Sequence, residues 1–457
     1  MTTVNRPICA AALREYFRVS VDMTNVWLNA EPQGATGFFQ YGPDIVCYGS
    51  SSGGTSPEFG SASQFDALRL VRNANGSGTR VPFDFASVID NLRRERYLEH
   101  LHTNGKGLSR NPLVRKAYYG VRELLPVSVR RHFQRSYFKG WREIAFPHWP
   151  VDFTADVLHQ EFLKLVLRTN KISRIPFIWF WPEGAPSCAI VTHDVETAVG
   201  RDYTPTLMDL DLKYGFHASF QVVPEKRYEV PDSYWKEIRD RACEFNVHDL
   251  NHDGYLFREK GEFERRANLI NGYVKKYQAR GFRAGAMYHN SDWLSAFEFS
   301  YDMSVPNVAH LEPQRGGCCT VMPYFIGKIL ELPLTTAQDY SVFNILEQFS
   351  IDLWKQQISL ILQHNGLITL LSHPDYLIDS KPRAIYEQLL AHLRRVCDDN
   401  RIWHALPRDV DAWWRARSEM NLVEHNGTWR IEGPESHRAR VAFASLDGDN
   451  LVYSFTG

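Results

Sequence analysis

From about residue 185 onward, short apolar runs alternate with stretches of helical length, and this rhythm restricts the fold more than any other feature. The runs are CAIVTHD (188–194), HASFQVV (217–223), EFNVHDL (244–250), GLITLLSH (366–373) and IWHAL (402–406). Between them lie SYWKEIRDRACE (233–244), EFERRANLINGYVKKYQAR (262–280) and IDLWKQQISLILQHN (351–365). Gly281 and Gly366 follow the last two, and a glycine just past a periodic segment is the expected helix stop. Strand–helix alternation of this kind predicts an α/β sheet or barrel with parallel strands.

The flanks read differently. Residues 1–85 are rich in Gly, Ser and Asn, with the long polar loop YGSSSGGTSPEFGSAS, and predict an irregular β-containing segment. Residues 86–185 turn helical and basic. Within 101–150 ten Lys or Arg stand against two Glu, with aromatics interleaved as in RRHFQRSYFKGW. Such a face serves either as solvated surface or as a docking surface for anionic lipid or a lipid-linked substrate. Residues 186–415 carry the alternating pattern. Residues 416–457 alternate apolar and polar around DGDN, which predicts a terminal β-hairpin.

Composition narrows the function classes. A net charge of −1 argues against a nucleic-acid binder. No window approaches the roughly 18 apolar residues of a membrane span, and the first residues show no basic segment followed by an apolar one. Seven cysteines without a CxxC pair suggest neither a disulfide framework nor a zinc finger. A cytoplasmic protein, peripheral to the membrane if the basic segment docks there, is the expectation.

The chemistry collects at the ends of the apolar runs. Asp194 and Glu196 stand at i and i+2, so on a strand they share a face. Like charges placed there need a metal ion, an arginine or a shared proton between them. His248 and His252 would lie about 13 Å apart on a strand, at roughly 3.3 Å per residue. A strand that ends and curls after His248 would bring the rings together. One carboxylate with two imidazoles leaves coordination positions open for water, the pattern of a catalytic metal site. Arg283 in GFRAGAMYHN could fix a carboxylate. His373 sits where a strand ends before Pro374, a usual place for functional groups in α/β proteins.

Taken in order, VTHDVE, HASFQVV, EFNVHDLNHDG, GFRAG and LLSHPDY resemble the polysaccharide deacetylases, carbohydrate esterase family four, over roughly residues 186–410. The resemblance implies a distorted (β/α) barrel of the NodB-homology type, here with an N-terminal α+β extension and a small C-terminal β appendage. It implies a divalent metal at the open end of the strands, zinc first, with cobalt, manganese or nickel as alternatives. By position, Asp194 resembles the catalytic base, and Glu196, His248 and His252 the metal ligands. Arg283 resembles the arginine that positions the base, His373 the catalytic acid, and Leu371 the leucine of the acetyl pocket. Asp339 or Asp302 would tune His373, with Asp339 preferred. Tyr255, Trp293 and Tyr376 could stack on sugar rings or pack in the core.

The chain departs from the family pattern in two places. Val195 separates the two acids and the second is Glu, and Gly285 stands where a proline is usual. The expected reaction is metal-dependent removal of N-acetyl groups from a saccharide, in a cytoplasmic setting a glycan precursor acted on before export. Another amide or ester hydrolase on the same scaffold, or a non-catalytic carbohydrate-binding or assembly protein, are the alternatives.

Overall fold

A computed structural model of the chain describes residues 11–20, 26–28, 35–60, 64–74, 78–101, 132, 135–136, 138–312 and 314–455. Most of the basic segment at 101–150, with its expected lipid contact, lies outside the described residues.

The alternating region forms the predicted layers. Its elements are β1 (Cys188–Val195), α1 (Ala198–Lys213), β2 (Ser219–Val222), α2 (Asp232–Asp240), β3 (Glu244–His248), α3 (Lys260–Lys276), β4 (Gly281–Arg283) and β5 (Tyr301–Asp302). They continue with β6 (Tyr324–Ile326), β7 (Ile329–Glu331), α4 (Asp352–Gln363), β8 (Leu367–Ser372), α5 (Ser380–Asn400), β9 (Trp403–His404) and α6 (Pro407–Glu419). One sheet runs β6-β7-β5-β4-β3-β2-β1-β8, with β9 beside the start of β1. Every pair in it is parallel except β6–β7. β1 is buried at all eight positions, as a central parallel strand covered on both faces must be.

The sheet curls into a distorted (β/α) barrel whose seam is made by side chains. Thr335 Oγ1 donates to the Leu367 carbonyl at 2.7 Å and Thr336 Oγ1 to that of Thr369 at 2.7 Å. Thr369 returns two bonds, Oγ1 to the Pro333 carbonyl at 2.8 Å and N–H to Thr335 Oγ1 at 3.0 Å. Threonine hydroxyls thus join β8 to the segment that follows β7.

Gly281 and Gly366 are not helix stops. α3 and α4 end earlier, and the left-handed residues beyond them are Gln278 (φ 49°) and Asn365 (φ 56°). The glycines serve close packing: a Cβ at Gly281 would stand 2.2 Å from the Tyr301 ring, and one at Gly366 2.5 Å from Val321 Cγ2.

The flanking segments pack on the barrel through a second apolar core. Helices Phe85–Arg93 and Thr154–Asn170 meet through stacked Phe85 and Phe162 rings, 4.8 Å apart. The DGDN hairpin forms as Val441–Asp447 against Asn450–Phe455, and its first strand also pairs with Arg174–Ile178. Buried Asp156 ties this layer to the barrel, accepting from Tyr16 Oη, Thr320 Oγ1 and the Val321 N–H. Tyr97 Oη donates to the Gly317 carbonyl at 2.6 Å.

Candidate active site

At the carboxyl ends of β1, β3, β4 and β8 the structure gathers Asp194, Glu196, His248, His252, Arg283 and His373. β3 ends at His248, and the chain then takes two left-handed residues, Asp249 (φ 54°) and His252 (φ 53°). This curl brings the two imidazoles to a centroid distance of 4.8 Å. Arg227 supports it from outside, donating to the Asn251 carbonyl at 3.2 Å. Gly285 lets the next loop pass close, since a Cβ there would meet Asp249 Oδ2 at 2.4 Å and His252 Cδ2 at 3.0 Å.

Glu196 Oε1 lies 2.9 Å from His252 Nε2 and 3.6 Å from His248 Nε2. His248 Nδ1 sits 3.0 Å from the Arg283 carbonyl, which can only accept, so the ring's N–H is on Nδ1 and the Nε2 lone pair faces Glu196. Both Nε2 atoms are buried and make no hydrogen bond. The ligand atoms of Glu196, His248 and His252 all lie within 4.8 Å of one another. Two imidazole Nε2 atoms and a carboxylate, so spaced, fit a divalent cation with open coordination positions. Burial pushes Glu196 up, but His252 and His248 outweigh it and hold the carboxyl well below the usual range. About a quarter of the Glu196 side chain is exposed, which marks the side from which solvent reaches the cluster.

Asp194 is almost fully buried and paired. Arg283 Nη1 donates to its Oδ1 at 2.7 Å, while the same guanidinium reaches Thr192 Oγ1 at 3.1 Å and the Met303 carbonyl, through Nε, at 2.9 Å. Burial raises the Asp194 pKa; Arg283, then His248 and His373, bring it below the ordinary value. Asp194 Oδ2 is 3.6 Å from His248 Nε2, so the base candidate adjoins the ligand cluster.

His373 is held by Asp339. Its Nδ1 is 2.7 Å from Asp339 Oδ1, and its backbone N–H donates to Oδ2 at 2.8 Å. Burial lowers the His373 pKa, but Asp339 and Glu196 carry it well above the usual value. Asp302 has other partners, the Met303 N–H and Ser304 Oγ, and faces Glu331 on the next strand.

Leu371 joins Met287 and Leu334 in a small buried apolar cluster separate from the two main cores. The Tyr376 ring lies 5.1 Å from that of His373. Tyr255 is half-buried in the loop after His252, under the Arg258 guanidinium. Trp293 packs on Phe263 at 5.2 Å and belongs with the core side chains. Sequence reasoning missed Thr192, Met287 and Leu334. Thr192 was within reach, because two residues before Asp194 on a strand is the same face.

A buried serine–histidine–aspartate set lies behind these groups. His193 Nδ1 is 2.9 Å from Ser372 Oγ and its Nε2 2.9 Å from Asp211 Oδ2, while Tyr386 Oη donates to Asp211 Oδ1. Strand alternation turns Ser372 away from Leu371 and His373, and Asp211 and Tyr386 come from the covering helices α1 and α5. The set braces strands against helices.

The fold and site define a curled, mainly parallel α/β barrel with a Glu-His-His cluster at its strand ends. No protein-family model matches the chain, and no curated protein matches it. Among solved structures it is similar to a protein designated a polysaccharide deacetylase from Mycobacterium smegmatis: 17% identity, 55% of this chain and 97% of that one, TM-score 0.43. It is also similar to peptidoglycan deacetylase PdaC from Bacillus subtilis, at 12% identity over 52% of this chain and 95% of that one, TM-score 0.33. A protein designated a polysaccharide deacetylase involved in O-antigen biosynthesis, from Bordetella bronchiseptica, shows 18% identity over 51% of this chain and 86% of that one, TM-score 0.31.

Proposed function

We propose that the protein is a metal-dependent hydrolase that removes N-acetyl groups from a saccharide. The observation that carries this reading is the convergence of Glu196 with the free Nε2 atoms of His248 and His252, beside Asp194 and His373. A divalent cation held by those three ligands, zinc first, would supply a Lewis acid for the amide carbonyl and lower the pKa of a water.

The chain's own groups divide the proton work. Asp194, kept ionised by Arg283, takes the proton from the attacking water. His373 Nε2, 3.6 Å from Glu196, carries the proton that the departing nitrogen needs, because an amide nitrogen does not leave as an anion. Asp339 keeps the imidazole oriented and protonated. Leu371, Met287 and Leu334 supply an apolar recess suited to the acetyl methyl, and Tyr376 a ring edge for the sugar.

The substrate is a glycan precursor handled in the cytoplasm before export, with the basic segment at 101–150 meeting an anionic membrane surface or the lipid-linked end of the glycan. Among the described residues no helix is long and apolar enough to cross a membrane. Metal content of the purified protein, with acetate release from N-acetylated oligosaccharides, tests the core of this reading. One bound divalent ion per chain and chelator-sensitive acetate release are expected. Protein that stays inactive on N-acetylated oligosaccharides with zinc, cobalt, manganese and nickel restored overturns it.

A further inference from the structure

Glu312 has no part in the reaction above, yet it is placed beside it. The residue is 5% exposed, and its carboxyl interacts electrostatically with both His373 and Asp194. Gln338 Nε2 donates to its Oε2 at 2.5 Å. Gln338 directly precedes Asp339, so two consecutive residues of one loop orient Glu312 and His373.

Glu312 lines a cavity with Trp149, Leu334, Thr335, Thr336 and Ser341. Leu334 also belongs to the apolar trio with Leu371 and Met287, so the cavity adjoins the recess assigned to the acyl group. Thr335 and Thr336 spend their hydroxyls on the barrel seam. Ser341 does not: it is 1% exposed, and its Oγ is buried with no hydrogen-bond partner. The cavity measures about 10 Å³, room for one water-sized group and not for a sugar ring.

We propose that Glu312 and Ser341 form a specificity subsite that receives one hydroxyl of the saccharide beside the acyl pocket. A hydroxyl offers one proton and two lone pairs, and the cavity presents a carboxylate to accept and a serine hydroxyl to donate. Its size excludes larger substituents, and the Glu312 charge excludes a carboxylate or phosphate at that position. Burial, with Asp194 adding to it, pushes the Glu312 carboxyl up to about 7, against Gln338 and His373, which pull it down.

This inference rests on the saccharide reading above, and the test separates the two. Holoprotein, wild type and the variants Glu312→Gln and Ser341→Ala, is titrated by calorimetry with glucosamine oligomers, which are products and do not turn over. KM and kcat for acetate release are measured on the N-acetylated oligomers. Glu312→Gln is expected to weaken binding of the oligomers and to raise KM by about 10- to 100-fold, with a larger effect on KM than on kcat. Ser341→Ala, a smaller change that retains the fold if Glu312→Gln does not, is expected to weaken binding several-fold. Product binding that depends on Glu312 without any acetate release removes the deacetylase reading and leaves the subsite. Both variants within twofold of wild type, or no binding of these oligomers to wild type, overturns the subsite and makes the cavity the berth of a structural water.

Discussion

Asp339 grips His373 twice, one carboxylate oxygen at the ring Nδ1 (2.7 Å) and the other at the backbone N–H (2.8 Å). The ring therefore can neither rotate nor exchange its tautomer without breaking a charge-assisted bond in a buried setting. Asp339→Asn keeps the shape and removes the charge. His373 then loses the main influence raising its pKa. As the proton donor it must be protonated to act, so the descending limb of the pH–rate profile moves to lower pH. A fall in kcat of about 10²-fold at neutral pH is expected; a profile that stays in place removes His373 from the acid role.

Arg283 and Asp194 set the other limb. Burial alone would raise the Asp194 pKa, and Arg283 reverses the sign. Arg283→Met should move the ascending limb to higher pH and lower the melting temperature, since a buried carboxylate left unpaired costs about 3–5 kcal/mol. Arg283→Lys is expected to rescue only part of this, because a lysine cannot reach Thr192, Met303 and Asp194 together. The pH–rate profile and thermal melts of both variants read this out.

Gly285 bears on metal retention. A methyl group there would overlap Asp249 Oδ2 and press on His252. Gly285→Ala should displace the His252 ring and lower metal affinity about 10- to 100-fold while the helices remain intact. Competition with a chelator measures the affinity, and circular dichroism checks the fold. Unchanged affinity would take His252 out of the ligand set.

Stability should depend on pH through carboxyls remote from the cation cluster. Burial pushes Asp156 up to about 6 and Glu244 up to about 7. An acid whose folded pKa is raised binds its proton more tightly in the folded state. Its contribution is complete below the unfolded value near 4 and is lost as pH rises through 6 to 7. For fully buried Glu244 the loss by pH 8 is on the order of 3 kcal/mol. Asp194 and Glu196 are shifted the other way, and their contribution is lost in acid. The melting temperature should therefore peak near pH 5 and fall toward pH 8, and Glu244→Gln should flatten the alkaline side. Calorimetry across that range decides it.

Much of this site was legible because its residues stand at strand ends, where spacing alone brings acids and rings to one rim. Asp194, Glu196, Arg283 and His373 are of this kind. The convergence of His252 with His248 was less so, since it depends on left-handed backbone at Asp249 and His252, which the Asn/Asp-rich run suggests without locating. Between Asp302 and Asp339 only a contact could decide, and both stand far from His373 in the chain. The glycines misled: Gly281 and Gly366 follow periodic segments, yet what requires them is Tyr301 and Val321, partners remote in sequence. The docking of the described residues that precede the barrel was illegible for the same reason, as it rests on bonds such as Asp156 to Thr320 and Tyr97 to Gly317.

The threonine seam gives the barrel one wall of a different mechanical kind. Elsewhere neighbouring strands share backbone ladders, but between β8 and the segment leading to Asp339 the bonds described use threonine hydroxyls. Parting the wall there would break these four bonds and the two that tie Asp339 to His373, so the closure that completes the barrel is also what fixes the proton donor in place.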